Sequence, residues 1–206
     1  MMRNKGFTLI EIAIVIIIIG LLIAGVIKGM SLIQSAKVSS NITLAQDLSA
    51  AVNAFKQQYH MLPGDMLIDP ASPEIPNVRA ECMKGGSDQG DNNGLINAKE
   101  SLCVPEVLFR AGLAKVNQNA GWAVFQSAYG SVRIIATSLS GVVTTLGSNP
   151  FLPSIIHVVE FQNLPCDVVQ EMDSKMDNGD LTSGKAIASS GACAAGSIVP
   201  YYDVAL

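Results

Sequence analysis

FTLIEIAIVIIIIGLLIAGVI, residues 7–27, decides how the rest of the chain is read. Of its 21 residues only Thr8 and Glu11 are of polar type. At about 1.5 Å per residue, a helix of this length spans roughly 30 Å, the hydrocarbon thickness of a bilayer. Arg3 and Lys5 precede it. The positive-inside tendency then keeps the N-terminus in the cytoplasm and sends the remainder across the membrane. A removable secretory signal has the same basic start, but its apolar core ordinarily runs about 7–15 residues and closes on a small-residue cleavage site. Neither feature fits this run.

Beyond Ile27 no proline appears before Pro63, while Leu44, Leu48, Ala51, Val52, Phe55 and Tyr59 keep helical spacing. The helix is therefore expected to continue as an amphipathic segment over 29–60, ending near Tyr59 and reaching roughly 80 Å in all. Pro63 disfavours helix at Leu62, and Gly64 closes the pattern. Within this rod Glu11 is anomalous. A carboxylate at mid-bilayer costs about 2.5–3.5 kcal/mol, less near the interface, so Glu11 calls for a counter-charge from the leader, lipid headgroups or another subunit.

The remaining composition narrows the partners. The chain has 206 residues, 49% hydrophobic and 15% charged, with a net charge of −4. No Lys/Arg run is present to neutralise a phosphate backbone, which argues against nucleic acid. The four cysteines, Cys82, Cys103, Cys166 and Cys193, all follow the apolar run, and none forms a C-x-x-C pair. Two disulfides in an oxidising compartment are expected. Three connectivities are open, and loop-closure entropy favours sequence neighbours, Cys82 with Cys103 and Cys166 with Cys193.

The part after residue 60 reads as an α+β head. Pro70, Pro73 and Pro76 mark a surface loop. Val104, Val107, Leu108 and Ala111 predict a short helix within Lys99–Lys115, ending near Gly112. Residues 122–126, 132–137 and 155–161 are β-rich and predict a small antiparallel sheet. Laid across the back half of the long helix, that sheet would bury Leu48, Val52, Phe55 and Tyr59, each contributing about 1.5–3 kcal/mol. Between Cys166 and Cys193 the pattern reads as a short helix, a turn over Asp177–Asp180 and a last strand.

One loop invites a cation. Against the calcium pattern D-x-[DN]-x-[DN]-G-x5-E, the stretch Gln89–Glu100 matches at Asp91, Asn93, Gly94 and Glu100, with the Leu95 carbonyl as a further oxygen. Gln89 stands where a carboxylate is wanted. The competing reading is a Gly/Asn turn leading into a helix whose first turn carries Glu100. Asp177, Asn178 and Asp180 offer a second, weaker grouping, against a solvated turn. Enzymatic patterns are missing: His60 and His157, the only histidines, have no nucleophile pattern beside them, and no zinc spacing, phosphate-cradling glycine motif or G-x-S-x-G occurs.

Gly6-Phe7-Thr8-Leu9-Ile10-Glu11, with Gly20 further along the apolar helix, closely resembles the cleavage and methylation segment of type IV prepilins and type II secretion pseudopilins. The resemblance implies a leader of residues 1–6, a transmembrane helix over 7–28, its continuation over 29–60 and a head over 61–206. It implies cleavage by prepilin peptidase between Gly6 and Phe7, methylation of the Phe7 amine, and pairing of Glu11 with the Phe7 amine of a neighbouring subunit. The partners implied are identical or related pilin subunits, the peptidase, an inner-membrane assembly platform and membrane lipid. Tyr59-x-x-Leu62-Pro63-Gly64-Asp65 is similar to a junction of many pilin-like proteins, and Asp173-Ser174-Lys175-Met176-Asp177-Asn178-Gly179 to the D-x-K-x-D-D-G segment of pseudopilin-like heads. By the same similarity the loop between Cys166 and Cys193 would face the filament surface. One departure stands out: many pilins carry a kinking proline near the end of the span, where this chain has Lys28 between Gly25 and Gly29. The expected function is a filament subunit; the alternative is a membrane-tethered binding module or adhesin that does not polymerise.

Overall fold

The computed structural model describes residues 9–191, 193–194 and 196–206. Arg3, Lys5, Gly6, Phe7 and Thr8, which carry the expected processing site, lie outside the described residues. Contacts divide the chain into two compact units, Met1–Lys37 and Val38–Leu206.

The described part of the first unit is helix throughout, the start of α1 (Leu9–Tyr59). Its most apolar 18-residue window has a mean hydropathy of 3.1 and is entirely unburied. Ile12, Val15, Ile19, Leu22 and Val26 are all exposed there. Among the described residues, α1 is the one helix long and apolar enough to cross a membrane.

The second unit opens on the remainder of α1, whose Val38, Asn41, Ala45, Leu48, Ala51, Val52 and Phe55 are buried. Steps of three and four along that list put one stripe on one face, as the apolar spacing dictates. Tyr59 is only half-buried, its ring centroid 4.5 Å from that of Phe55. The helix stops just beyond: the His60 N–H reaches the Lys56 carbonyl at 3.0 Å, with His60 left-handed at φ 58°. That is an αL helix end ahead of the Pro63–Gly64 turn.

Behind α1 come α2 (Glu100–Arg110), β1 (Asn117–Asn119), β2 (Trp122–Gln126), β3 (Ser131–Ala136), α3 (Gly141–Leu146), β4 (His157–Pro165), α4 (Cys166–Met176), β5 (Ala186–Ala188) and β6 (Ile198–Ala205). The strands form one antiparallel sheet in the order β1-β2-β3-β4-β6-β5. One face presents Val132, Ile134, Val159, Phe161, Tyr202 and Val204, which share a single buried core with the α1 stripe and with Val104, Val107 and Leu108 of α2. The opposite face carries Ile135, Val158 and Ile187 under Val142 and Phe151, a smaller separate cluster. Disulfides join Cys82 to Cys103 and Cys166 to Cys193. The first ties the loop after the junction to α2, the second closes the segment holding α4 and β5.

The short helix covers Glu100–Arg110 and ends just before Gly112, as its spacing implied, with Gly112 left-handed at φ 74°. Other boundaries differ from expectation for local reasons. The third strand starts at His157, not Ile155. The Ile155 carbonyl accepts from the Thr137 hydroxyl at 2.9 Å and so belongs to the connection before the strand. The strand that completes the sheet, β6, lies beyond Cys193 and was not anticipated. Its Pro200 is tolerated because the β4–β6 ladder pairs Gln162 with Tyr201 and Leu164 with Val199, skipping Asn163, which is left-handed at φ 57°.

Candidate functional site

Glu11 stands in the first turn of α1, the single acid in an apolar run, on a helix face exposed along its length. This unburied apolar stretch is the first candidate functional surface.

The second lies in the head, where Asp65, Asp91 and Glu100 each bring a carboxylate oxygen within 4.8 Å of the others. Asp65 and Glu100 are buried and Asp91 is exposed. Each acid arrives by a different route. Asp65 follows the turn that ends α1. Asp91 follows Gly90, where a Cβ would collide with the backbone of Asp65 and Met66, so only glycine lets the loop come this close. Glu100 opens α2 in a reciprocal cap. The Asn97 side-chain oxygen accepts the N–H groups of Lys99 (2.9 Å) and Glu100 (3.1 Å), while Glu100 Oε2 takes the Asn97 N–H at 2.8 Å.

These carboxylates also tie the loop down. Glu100 Oε1 accepts the Asp91 N–H at 3.1 Å; Asp65 Oδ1 and Oδ2 accept those of Asn93 (3.0 Å) and Gly94 (2.9 Å). Burial raises the proton affinity of both Asp65 and Glu100, only partly opposed by these amide bonds, and the charge of nearby Asp91 adds to the rise. Three acids at this spacing repel one another. A hard divalent cation would relieve that repulsion, and a carboxylate oxygen already holding one amide proton keeps a lone pair for such an ion.

The structure thus brings Asp91 and Glu100 together as the loop pattern suggested, and adds Asp65. Asn93 points its amide to Asp91 Oδ2 at 2.8 Å, and its side-chain oxygen accepts the Leu95 N–H at 2.7 Å. Gln89, in the first position of the pattern, accepts the Gly85 N–H at 2.5 Å instead. The second grouping closes its own turn: Asp177 Oδ2 accepts from Lys185 N and Ala186 N, and Asp180 from Thr182 and Ser183. The sequence marks Asp65 as part of the junction but not as a site residue. Its only signal is an acid directly after a Pro-Gly turn, and nothing local links it to residues 91–100.

Of the two histidines, His157 is half-buried with Nε2 accepting the Ile96 N–H at 3.2 Å. Burial, with Lys56 nearby, pushes it down to about 4, so it serves as a neutral hydrogen-bond acceptor at ordinary pH.

Comparison with known proteins finds one family, the prokaryotic N-terminal methylation motif, matching residues 1–27. No curated protein and no solved structure matches the chain. The motif implies processing by prepilin peptidase and assembly with other pilin subunits, and with the apolar helix it fits anchoring in a membrane. At its N-terminus the chain bears the signature of the type IV pilins and pseudopilins, on a long apolar helix followed by a small antiparallel sheet with further helices, an α+β pilin-like architecture.

Proposed function

We propose that the chain is a structural subunit of a filament, a type IV pilus or a type II secretion pseudopilus, built through its N-terminal helix. The observation that carries this reading is the methylation motif on a helix whose apolar side chains are unburied. An exposed apolar surface of this extent needs lipid before assembly and neighbouring helices after it. In this reading prepilin peptidase cuts between Gly6 and Phe7 and methylates Phe7. Glu11, then the fifth residue, pairs with the Phe7 ammonium of the next subunit. The head stands on the extracytoplasmic side, where its disulfides form, and an inner-membrane platform drives assembly.

The direct test is intact mass and N-terminal sequencing of the membrane-extracted chain. The expected result is a chain beginning at methylated Phe7; a mature chain that keeps its first six residues would falsify the reading. A head that functions normally while never entering filaments would instead establish a tethered binding module.

Calcium enters the same proposal as a stabilising ligand at Asp65, Asp91 and Glu100, with Asn93 and the Leu95 carbonyl as the further oxygens named from the loop pattern. Saturating calcium at about 100 times its Kd raises stability by about 2.7 kcal/mol. The full chain in detergent should therefore melt several degrees higher in millimolar calcium, and Asp91→Asn should remove the shift. An unchanged midpoint rules calcium out.

A further inference from the structure

On the face of the sheet turned away from α1's core, four strands align Arg133, Glu160, Asp203 and Ile187 in one cross-strand row. Glu160 and Asp203 are direct partners in the ladder, and both are fully buried. Glu160 is well satisfied: Arg133 Nε donates to its Oε1 at 2.6 Å, Gln162 Nε2 to the same oxygen at 3.0 Å, and the Gly141 N–H to its Oε2 at 2.5 Å. Asp203 is the opposite, since neither of its carboxyl oxygens has a hydrogen-bond partner among the described residues. A buried carboxylate without partners is among the costliest groups a core can hold.

What covers the pair is a roof made of residues 137–156: a turn at Thr137–Leu139, then α3, then the chain leading to β4. The roof is held by Val142 and Phe151, with Val143 and Ile155 partly buried beside them, which meet Ile135, Val158 and Ile187 in the small cluster separate from the main core. It is also held by the Gly141 N–H on Glu160, with Gly141 set so close to Tyr201 that a Cβ would strike the ring. A covering element whose apolar contacts are confined to a small cluster apart from the main core belongs to the low end of local stability. The charged or titratable groups facing Asp203 are Glu160 and Arg133 from the neighbouring strands and Tyr201 two residues away on its own. β5 contributes Ile187, and residues 137–146 of the roof include no ionisable side chain. One cation faces two acids.

We propose that the roof is a proton-linked flap: it closes on the sheet while the Glu160–Asp203 pair carries a single negative charge, and opens to water when the pair carries two. Burial is the main force on Asp203, pushing it up to about 8; Glu160 adds to the rise, while the Ser140 hydroxyl, close by but outside hydrogen-bond geometry, and Arg133 oppose it. The sign follows. An acid that holds its proton more tightly in the closed form favours closure most at pH values below the ordinary carboxylate range, near 4. That advantage drains away as pH rises to about 8 and changes little beyond. In this interval the opening constant grows by up to about tenfold per pH unit.

Hydrogen exchange on the full chain in detergent micelles, from pH 5 to 9 and corrected for intrinsic exchange, reads this directly. Opening of residues 137–146, measured relative to β4, should climb with that slope and flatten above about pH 8. In Asp203→Asn, which keeps size and shape but cannot ionise, it should be flat. A wild-type flap with no slope, a slope shared equally by β4, or a slope that survives Asp203→Asn overturns the proposal. Should the variant not fold, carbon NMR of the wild-type Asp203 carboxyl decides: a midpoint near 4 sinks the proposal, and one several units higher supports it.

Discussion

Glu11→Val is expected to leave the chain inserted, cleaved and folded, and to remove it from filaments. The argument rests on what the acid does once its surroundings are dry. On the proposed reading, its carboxylate meets the methylated Phe7 ammonium of the next subunit within a bundle of apolar helices. Deleting one partner of a buried ion pair leaves the other charge uncompensated, at about 3–5 kcal/mol. Per contact that corresponds to roughly two to four orders of magnitude in the equilibrium for adding a subunit. Glu11→Gln, which keeps the shape without the charge, should fail nearly as badly, because the loss is electrostatic. Head stability should not move, since Glu11 belongs to the unit Met1–Lys37 while the head's buried stripe begins at Val38. The measurement is the fraction of chain in sheared filaments beside the melting midpoint of extracted subunit. Normal incorporation of Glu11→Val would show that the acid does not select the register. A lowered midpoint would show that its role is in folding.

How much of this was legible in sequence depends on how local each cause is. α1 was readable because an unbroken apolar run and then a helical spacing extend without proline to Pro63. β2 and β3 were readable from their β-branched and aromatic content. β6 was not: Pro200 and Asp203 both argue against a strand, and only pairing on two sides with β4 and β5 makes one of the residues Ile198–Ala205. α3 was hidden in a Ser/Val/Thr-rich stretch of poor helix propensity, and needs the Ser140 cap on the Val143 N–H and the sheet beneath it. In the acidic site the spacing of Asp91 and Glu100 was visible. Asp65 came from 26 positions before Asp91 in sequence, and the two meet through tertiary contacts: Gly90 packed on the Asp65 backbone and the Asn93 and Gly94 amides on its carboxylate. The same Glu100 that fits a calcium pattern also completes the Asn97-x-x-Glu100 cap, a more local reason for its presence.

Phe55→Ala is the second large effect expected, and it tests whether the back half of α1 is a structural part of the head. Phe55 is fully buried and sits in the core that holds Phe125, Phe161 and Tyr202. Truncating a buried phenylalanine removes its transfer energy and leaves a cavity the sheet cannot fill by relaxing, a loss of about 3–5 kcal/mol. Against a total of about 5–15 kcal/mol for a domain, that is a large fraction. For a unit of this size 1 kcal/mol moves Tm by roughly 2–4 °C, so the midpoint should fall by about 10 °C or more. Lys56→Ala, one position along on the exposed face, should stay within about 0.5 kcal/mol. Leu22→Ala, in the unburied apolar stretch, should leave the head midpoint unchanged. Near-ultraviolet circular dichroism or the fluorescence of Trp122, the single tryptophan, reports the transition in detergent. The comparison separates two roles of one helix, because on the proposed reading the residues before Val38 pack on lipid and other helices, whereas those after it are buried in the head's core. If Phe55→Ala melts with the wild type while Leu22→Ala does not, the assignment of the core to the second part of α1 is wrong.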